Sequence, residues 1–288
     1  MSVLESELRQ ANMTSAAPVT IIEPTRGWLS LNLQEIWAYH ELVYFLIWRD
    51  MKVRYKQTAI GVIWVILQPL LTMVVFTLVF NRIANISSDG LPYPIFAYAA
   101  LLPWNLFAGA LNRSGNSLVG QSNLITKVYF PRLIVPLSAT VSGVVDFAIA
   151  FIILIAMMVW YGVAPNWGVL ALPLFILLAL AAGFSVGLWL SALNVRYRDV
   201  GYALPFLVQL WLFASPVAYP TSVVPEKWQF LYSLNPMAGV IEGFRWALLG
   251  KAQPDFGVIA VSAAAVIAVL FGGLVYFKRT ERTFADVV

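Results

Sequence analysis

Hydrophobic residues run in six long blocks along this chain, and the charged residues collect between the blocks. A helix rises about 1.5 Å per residue, so roughly 20 apolar residues span a hydrocarbon core of about 30 Å. The blocks match this length, and only one of them contains a charge, Asp146. The pattern predicts six transmembrane helices, at residues 58–80, 93–112, 134–161, 167–194, 202–219 and 256–277.

Composition excludes the alternative that one such block is a buried helix of a large soluble protein. The chain is 60% hydrophobic and only 11% charged, with a mean hydropathy of +0.79. Soluble domains average about 25% charged residues. We therefore predict an all-α polytopic membrane protein.

The positions of Lys and Arg predict how the chain crosses the membrane, because short cytoplasmic loops carry an excess of both. With the N-terminus inside, 14 of the 18 Lys and Arg residues fall in the cytoplasm, which puts both termini there. Residues 1–35 have no apolar signal-peptide core and are expected to be a soluble tail, as are residues 278–288. The basic balance thus reflects topology, and no nucleic-acid binding is expected.

Residues 36–57, just before the first block, are predicted to form an amphipathic helix with an aromatic face and a basic face. Aromatic and apolar side chains from Trp37 to Tyr55 share one side, and basic side chains lie opposite. Such a helix lies in the membrane interface, although the charges also fit an ordinary positive flank of the first span. The candidate interfacial residues are Trp48, Arg49, Lys52, Arg54, Tyr55 and Lys56.

Residues suited to catalysis are scarce. The chain has no Cys, one His, and no phosphate-binding G-x-x-x-x-G-K-[ST] loop, so we predict neither an enzyme nor a metal or cofactor site. A charge at mid-membrane costs about 2.5–3.5 kcal/mol on insertion scales. One Asp is too few for a proton relay, so Asp146 is expected to contact a neighbouring helix or subunit.

Two cytoplasmic loops, at 112–136 and 195–201, contain the remaining distinctive polar residues on that side. In the first, the sequence "NLITKVYF" predicts a turn and a half of helix, capped by Asn123 and closed before Pro131. Lys127 and Arg132 flank its end and are expected to be exposed.

On the outer side, residues 235–250 predict a short helix. Asn235 and Pro236 are typical of a helix start and Gly250 of its end. Fourteen residues rise only about 21 Å, so this helix is re-entrant or lies in the interface. Glu242 and Arg245 stand three positions apart and are expected to pair.

Four stretches resemble the membrane subunit of type-2 ABC exporters for bacterial lipid-linked polysaccharides, the family of O-antigen, capsule and teichoic-acid exporters. They are "RDMKVRYKQTAIGVIWVILQPLL", "NLITKVYFPRLIVPL", "LNVRYRDV" and "LNPMAGVIEGFRWALLG". The resemblance covers roughly residues 40–280, and the four stretches occur in the family's order and with matching spacing. It implies a type-2 transmembrane domain at 58–277 with a pair of re-entrant helices at 225–249.

The resemblance implies a homodimer in the bacterial inner membrane that recruits two copies of a separate ATPase, which binds ATP and Mg. The expected substrate is a lipid-linked polysaccharide, O-antigen first; a small-lipid or drug exporter and an ATP-independent channel or scaffold remain alternatives. The implied ATPase-coupling residues are Asn123, Lys127, Tyr129, Phe130, Pro131, Arg132, Arg198 and Asp199. The implied channel at the dimer interface takes its aromatic candidates from the first and fifth spans: Trp64, Phe76, Phe80, Trp211 and Phe213.

Overall fold

The computed structural model describes residues 33–56, 61–250, 255–281 and 284, and these residues form helices and turns with no strand. Most of the predicted N-terminal tail lies outside the described residues. The α-helices are α1 (Leu33–Ala38), α2 (His40–Lys56), α3 (Gly61–Phe76), α4 (Tyr93–Gly120), α5 (Ser122–Lys127), α6 (Ile134–Val141), α7 (Val144–Tyr161), α8 (Leu172–Arg196), α9 (Asp199–Phe213), α10 (Glu226–Ser233), α11 (Pro236–Leu249) and α12 (Phe256–Thr280). A π-helix (Thr77–Ile83) continues α3, and 3₁₀ turns lie at Trp167–Ala171 and Thr221–Val223.

The predicted all-helical membrane fold is confirmed. Five helical segments are long and apolar enough to cross a bilayer: Gly61–Ile83, Tyr93–Gly120, Ile134–Tyr161, Trp167–Arg196 and Phe256–Thr280. The chain is therefore a multi-pass membrane protein.

The sixth predicted span, 202–219, differs from the helix that the structure places there. Helix α9 begins at Asp199 and ends at Phe213, and its 15 residues rise only about 22 Å. Pro216 has no amide N–H to donate and its ring disfavours a continuing helix, so the chain turns after Phe213. The count of six spans therefore stays a prediction.

Helix α4 lies at the centre of the bundle and packs against α3, α6, α7, α8, α9 and α11. It extends to Gly120, eight residues beyond the predicted end, so the first part of the predicted loop 112–136 is helical. Helix α8 approaches α4 closely through Gly183 and Gly187. A Cβ atom at Gly183 would stand 2.8 Å from the Phe107 carbonyl oxygen, which explains why small residues face α4 here.

The predicted span 134–161 is interrupted where α6 ends and α7 begins. The Ser142 hydroxyl donates to the Ala139 carbonyl at 2.8 Å, and Gly143 follows in the break. The Arg113 guanidinium lies against Gly143, where a Cβ atom would be only 1.7 Å from Nη2. Glycine at this point thus leaves room for the arginine of a neighbouring helix.

Buried apolar side chains form two clusters. The larger surrounds α4 within the bundle. The smaller lies where α2, α5, the start of α6 and the C-terminal ends of α4, α8 and α12 meet. We call this region the basic end of the bundle. This basic-end cluster consists of Leu46, Leu118, Ile125, Phe130, Ile134, Val135, Leu188, Ala192, Val195, Phe277 and Phe284.

Candidate functional site

The segment that links α4 to α6 at the basic end presents an exposed surface. Helix α5 buries Ile125 against the basic-end cluster, and its other side faces out. Gln121 precedes α5 as the N-cap residue without a side-chain capping bond, and Asn123 lies inside the helix, so the prediction that Asn123 caps it is wrong. The exposed residues are Asn123, Thr126, Lys127, Val128 and Tyr129, which we call the exposed tip.

Phe130 is not part of that exposed surface. Its side chain is only 5% exposed and packs in the basic-end cluster, whereas the neighbouring Tyr129 is 66% exposed. Pro131 is half-buried. Arg132, which was expected to be exposed, is half-buried as well, and it is bound to Glu281 at the end of α12 through its backbone N–H and its guanidinium. The structure thus separates the coupling candidates into an outward-facing set and an inward-facing set.

The second predicted loop, 195–201, also lies at the basic end, with Arg198 and Asp199 exposed. Asn194 ties it to α4: its Nδ2 donates to the Gly115 carbonyl at 3.1 Å, and its Oδ1 accepts from the Gly201 N–H at 3.1 Å. Asp199 begins α9, where a carboxylate complements the helix dipole.

Helix α2 lies along α6 and has an exposed face and a face that packs on the bundle. Tyr44 and Trp48 of α2 are exposed, as is Trp37 of the preceding α1, and Lys52 lies over the Trp48 ring at 5.9 Å. Leu46, by contrast, is fully buried in the basic-end cluster. Helix α2 thus has an exposed aromatic face, as predicted. It is also anchored to the bundle, which was not predicted.

The anchor at the C-terminal end of α2 is Asp146 of α7. The Arg54 Nη1 atom lies 2.5 Å from the Asp146 Oδ2, and the Tyr55 hydroxyl donates to Oδ1. Arg113 of α4 adds a second positive charge 3.6 Å from Oδ2 and donates to the Ala139 carbonyl at 3.1 Å. Tyr55 thus faces the protein and not the lipid, contrary to its predicted place on the aromatic interfacial face.

This cluster joins three helices through one carboxylate. Two guanidinium groups and a phenol surround Asp146, so its charge is compensated and its position fixed. Burial, and then the hydrogen bond to Asp146, raise the pKa of Tyr55 to about 12, so the phenol remains a donor near neutral pH. The remaining basic candidates, Arg49, Lys52 and Lys56, lie toward the surface, with Arg49 paired to Asp50.

At the opposite end of the bundle, α11 has the predicted boundaries. The Asn235 side chain accepts from the Met237 N–H, Pro236 is the first helical residue, and Gly250 ends the helix at φ +67°. Asn235 Oδ1 also accepts from the Trp211 indole at 3.0 Å. The signals for this helix were local, and the structure confirms them.

The predicted Glu242–Arg245 pair is wrong. Arg245 donates to the carbonyls of Val217 at 2.8 Å and Phe96 at 3.3 Å and lies over the Phe96 ring. Glu242 accepts from the Asp255 N–H at 3.4 Å, and burial raises the pKa of its carboxyl. Arg245 therefore secures the turn after α9 to the start of α4 and does not pair with the carboxyl group of its own helix.

We expect Arg245→Met to lower the free energy of unfolding by about 3 kcal/mol, because two or more charge-assisted hydrogen bonds are lost. Arg245→Lys keeps the positive charge but lacks the branched guanidinium that reaches two carbonyls. Its free energy of unfolding should therefore lie between those of the wild type and Arg245→Met. Thermal unfolding of the purified protein in detergent measures both. The matched control is Arg82→Met, since Arg82 is exposed; equal stability of the two methionine variants would contradict the role given to Arg245.

The five aromatic channel candidates do not share one environment. Trp64 and Phe213 are exposed at 56% and 50%, and Phe80 is half-buried. Phe76 is buried in the main core, and Trp211 packs edge-on against Phe107 and donates to Asn235. Phe76 and Trp211 are therefore structural side chains.

Helix α9 has an exposed stripe of mainly aromatic residues that was not predicted from the sequence. Tyr202, Phe206, Gln209 and Phe213 recur at spacings of four, three and four and are all exposed. That spacing places them on one face of the helix. The periodicity was available in the sequence, but choosing this face over that of Trp211 required knowing which side packs on α4.

These features define a helical membrane domain with an exposed tip at its basic end and no ATP-binding motif. The family model for the ABC-2 type transporter matches residues 41–249, well over half of the chain. The chain belongs to the ABC-2 type transporter family.

Curated relatives match over most of their length. The O-antigen export system permease protein RfbA of Myxococcus xanthus is 27% identical over 259 residues, covering 89% of this chain and 98% of the relative. RfbA of Klebsiella pneumoniae is 26% identical, covering 83% and 92%. The polysialic acid transport protein KpsM of Escherichia coli is 22% identical, covering 81% and 91%.

Proposed function

We propose that this chain is the permease subunit of an ATP-driven exporter that moves a lipid-linked polysaccharide, O-antigen in the first instance, across the bacterial inner membrane. The observation that carries the proposal is the match to two O-antigen export permeases across 83–89% of this chain. The match to a polysialic acid transporter widens the support to polysaccharides as a class.

The exporter requires partners for energy and for a complete pathway. The sequence contains no phosphate-binding loop, so ATP and Mg are assigned to a separate ATPase, present in two copies on a permease homodimer. The excess of Lys and Arg orients both termini and the basic end toward the cytoplasm. The exposed tip then faces the compartment that supplies ATP.

The exposed tip is the surface we assign to ATPase docking. Val128 and Tyr129 present apolar area beside Lys127, while Phe130 directly behind them is fixed in the core. A rigid apolar anchor rimmed by charge is the usual composition of an interface hot spot. The tip continues through Phe130 into the bundle, so a displacement of the tip is passed to the helices that pack there.

The pathway for the polymer is assigned to the exposed faces of α3 and α9, which both pack on the central helix α4. Trp64 of α3 and the α9 stripe of Tyr202, Phe206, Gln209 and Phe213 supply aromatic faces with one amide. Aromatic rings offer flat apolar contacts without fixed hydrogen-bond partners. Such contacts tolerate successive sugar units of different orientation, which suits passage of a polymer.

The purified chain alone is expected to hydrolyse no ATP, and ATP-dependent translocation should require its ATPase subunit. The measurement is transfer of a lipid-linked polysaccharide across proteoliposomes that hold the permease with or without the ATPase. Omission of ATP is the control. Turnover by the permease alone, or polymer transfer at equal rates without the ATPase, would contradict the proposal.

A further inference from the structure

Arg132 and Glu281 connect the segment between α5 and α6, residues 128–133, to the end of the last helix. The Arg132 backbone N–H donates to the Glu281 Oε1 at 3.2 Å, and the Arg132 guanidinium donates to the Glu281 backbone carbonyl. The second carboxylate oxygen, Oε2, accepts from Lys278 at 3.0 Å. Both carboxylate oxygens and the carbonyl of Glu281 are thus engaged, and we call this arrangement the clasp.

The clasp lies between two helix ends of opposite polarity. Glu281 is the C-cap residue of α12, where carbonyls lack helical partners and a guanidinium is favourable. Arg132 lies just before α6, whose N-cap residue Leu133 makes no side-chain capping bond. A carboxylate close to that helix start is favourable for the same reason. One residue pair therefore supplies hydrogen-bond partners to a carbonyl at the end of α12 and to a backbone N–H just before α6.

Apolar contacts support the clasp. Phe130, two residues before Arg132, lies in the basic-end cluster with Phe277 and Phe284, whose rings meet edge to face at 5.2 Å. Both sides of the clasp are thus packed in the same cluster. If the segment after the exposed tip moves, the end of α12 must move with it, because otherwise these contacts would break.

We propose that Glu281 is a positioning residue for coupling: it makes the end of α12 move with the exposed tip, so that ATPase motion enters the bundle through α12 as well as through α6. This rests on the proposed function, because it assumes that the tip docks on the ATPase. Glu281 itself needs no contact with the ATPase, since its oxygens are occupied within the chain.

The test measures polymer exported per ATP hydrolysed by the permease–ATPase complex in proteoliposomes. Glu281→Ala removes the carboxylate that accepts from the Arg132 N–H and from Lys278, and it leaves the backbone carbonyl in place for the Arg132 guanidinium. Loss of the carboxylate should reduce the ratio by about tenfold or more, while the complex still assembles and hydrolyses ATP. Glu281→Gln retains an acceptor for the Arg132 N–H and should recover part of the ratio. Glu226→Ala is the matched control, because Glu226 is exposed at the start of α10 and lies outside the basic end.

A wild-type ratio for Glu281→Ala overturns the positioning role of the Glu281 carboxylate. If Tyr129→Ala weakens ATPase binding in the same experiment, docking at the tip stands without a role for Glu281; if Tyr129→Ala also has no effect, the proposed docking site itself fails.

A second measurement tests the proposal even if Glu281→Ala folds poorly. The natural chain has no Cys, so Arg132→Cys with Glu281→Cys forms a unique pair for a short thiol cross-linker. Cross-linking should raise export; unchanged or lower export would show that the two ends need not move together.

Discussion

Replacing Asp146 with Asn is expected to lower the free energy of unfolding by about 2–3 kcal/mol and to abolish most export. The substitution leaves the guanidinium groups of Arg54 and Arg113 beside each other with no carboxylate between them. Breaking a buried ion pair from one side typically costs about 3–5 kcal/mol, and the partial exposure of these side chains reduces that figure. Loss of the anchor also frees the C-terminal end of α2 from α7. Thermal unfolding in detergent and export in proteoliposomes measure the two effects.

The comparison variant is Asp50→Asn, because the ion pair of Asp50 with the adjacent Arg49 is partly exposed and contains no bond to Asp146. An exposed pair contributes about 0–1 kcal/mol, so this variant should resemble the wild type. Arg54→Gln combined with Asp146→Asn completes a double-mutant cycle. Because one unpaired charge is removed, the double variant should be less destabilised than the sum of the two single variants. Strict additivity would show that the 2.5 Å contact contributes no coupling energy.

Membrane helices and their local end signals were predictable from the sequence because their causes are local. A hydrocarbon core requires about 20 apolar residues, and any chain that crosses it must show them. The start of α11 at Asn235 and its end at Gly250 follow from the chemistry of those two residues alone. In both cases the information lies within a few residues of the feature.

Partners across the bundle were not predictable in the same way. Arg113 meets Asp146 only because α4 continues beyond residue 112 and because Gly143 leaves space for the guanidinium. Arg245 lies three residues from Glu242 yet binds carbonyls more than 25 positions away. A helical wheel assigns Tyr55 to an aromatic face, but the wheel contains no information on α7. The contact of Asp146 with a neighbouring helix was predicted correctly, but in all three cases the identity of the partner depends on a residue distant in sequence.

The clearest functional contrast concerns two adjacent aromatic residues of the segment between α5 and α6. Tyr129→Ala should leave folding unchanged, because the side chain is 66% exposed, and should weaken ATPase binding. Truncating an interface hot spot costs about 2 kcal/mol or more, which corresponds to roughly a 30-fold rise in Kd. Phe130→Ala should instead lower the free energy of unfolding by about 3–5 kcal/mol, because it leaves a cavity in the basic-end cluster.

The two variants must be made separately, since a double alanine variant would lose binding through unfolding and reveal nothing about docking. Binding of the ATPase to the solubilised permease and thermal unfolding of the permease are measured on each. Trp160→Ala is the control for Tyr129→Ala, because Trp160 is exposed at the far end of α7. If Tyr129→Ala binds its ATPase with wild-type affinity, docking does not use the exposed tip. If Phe130→Ala is as stable as the wild type, the basic-end cluster does not hold the segment, and motion of the tip has no rigid path into the bundle.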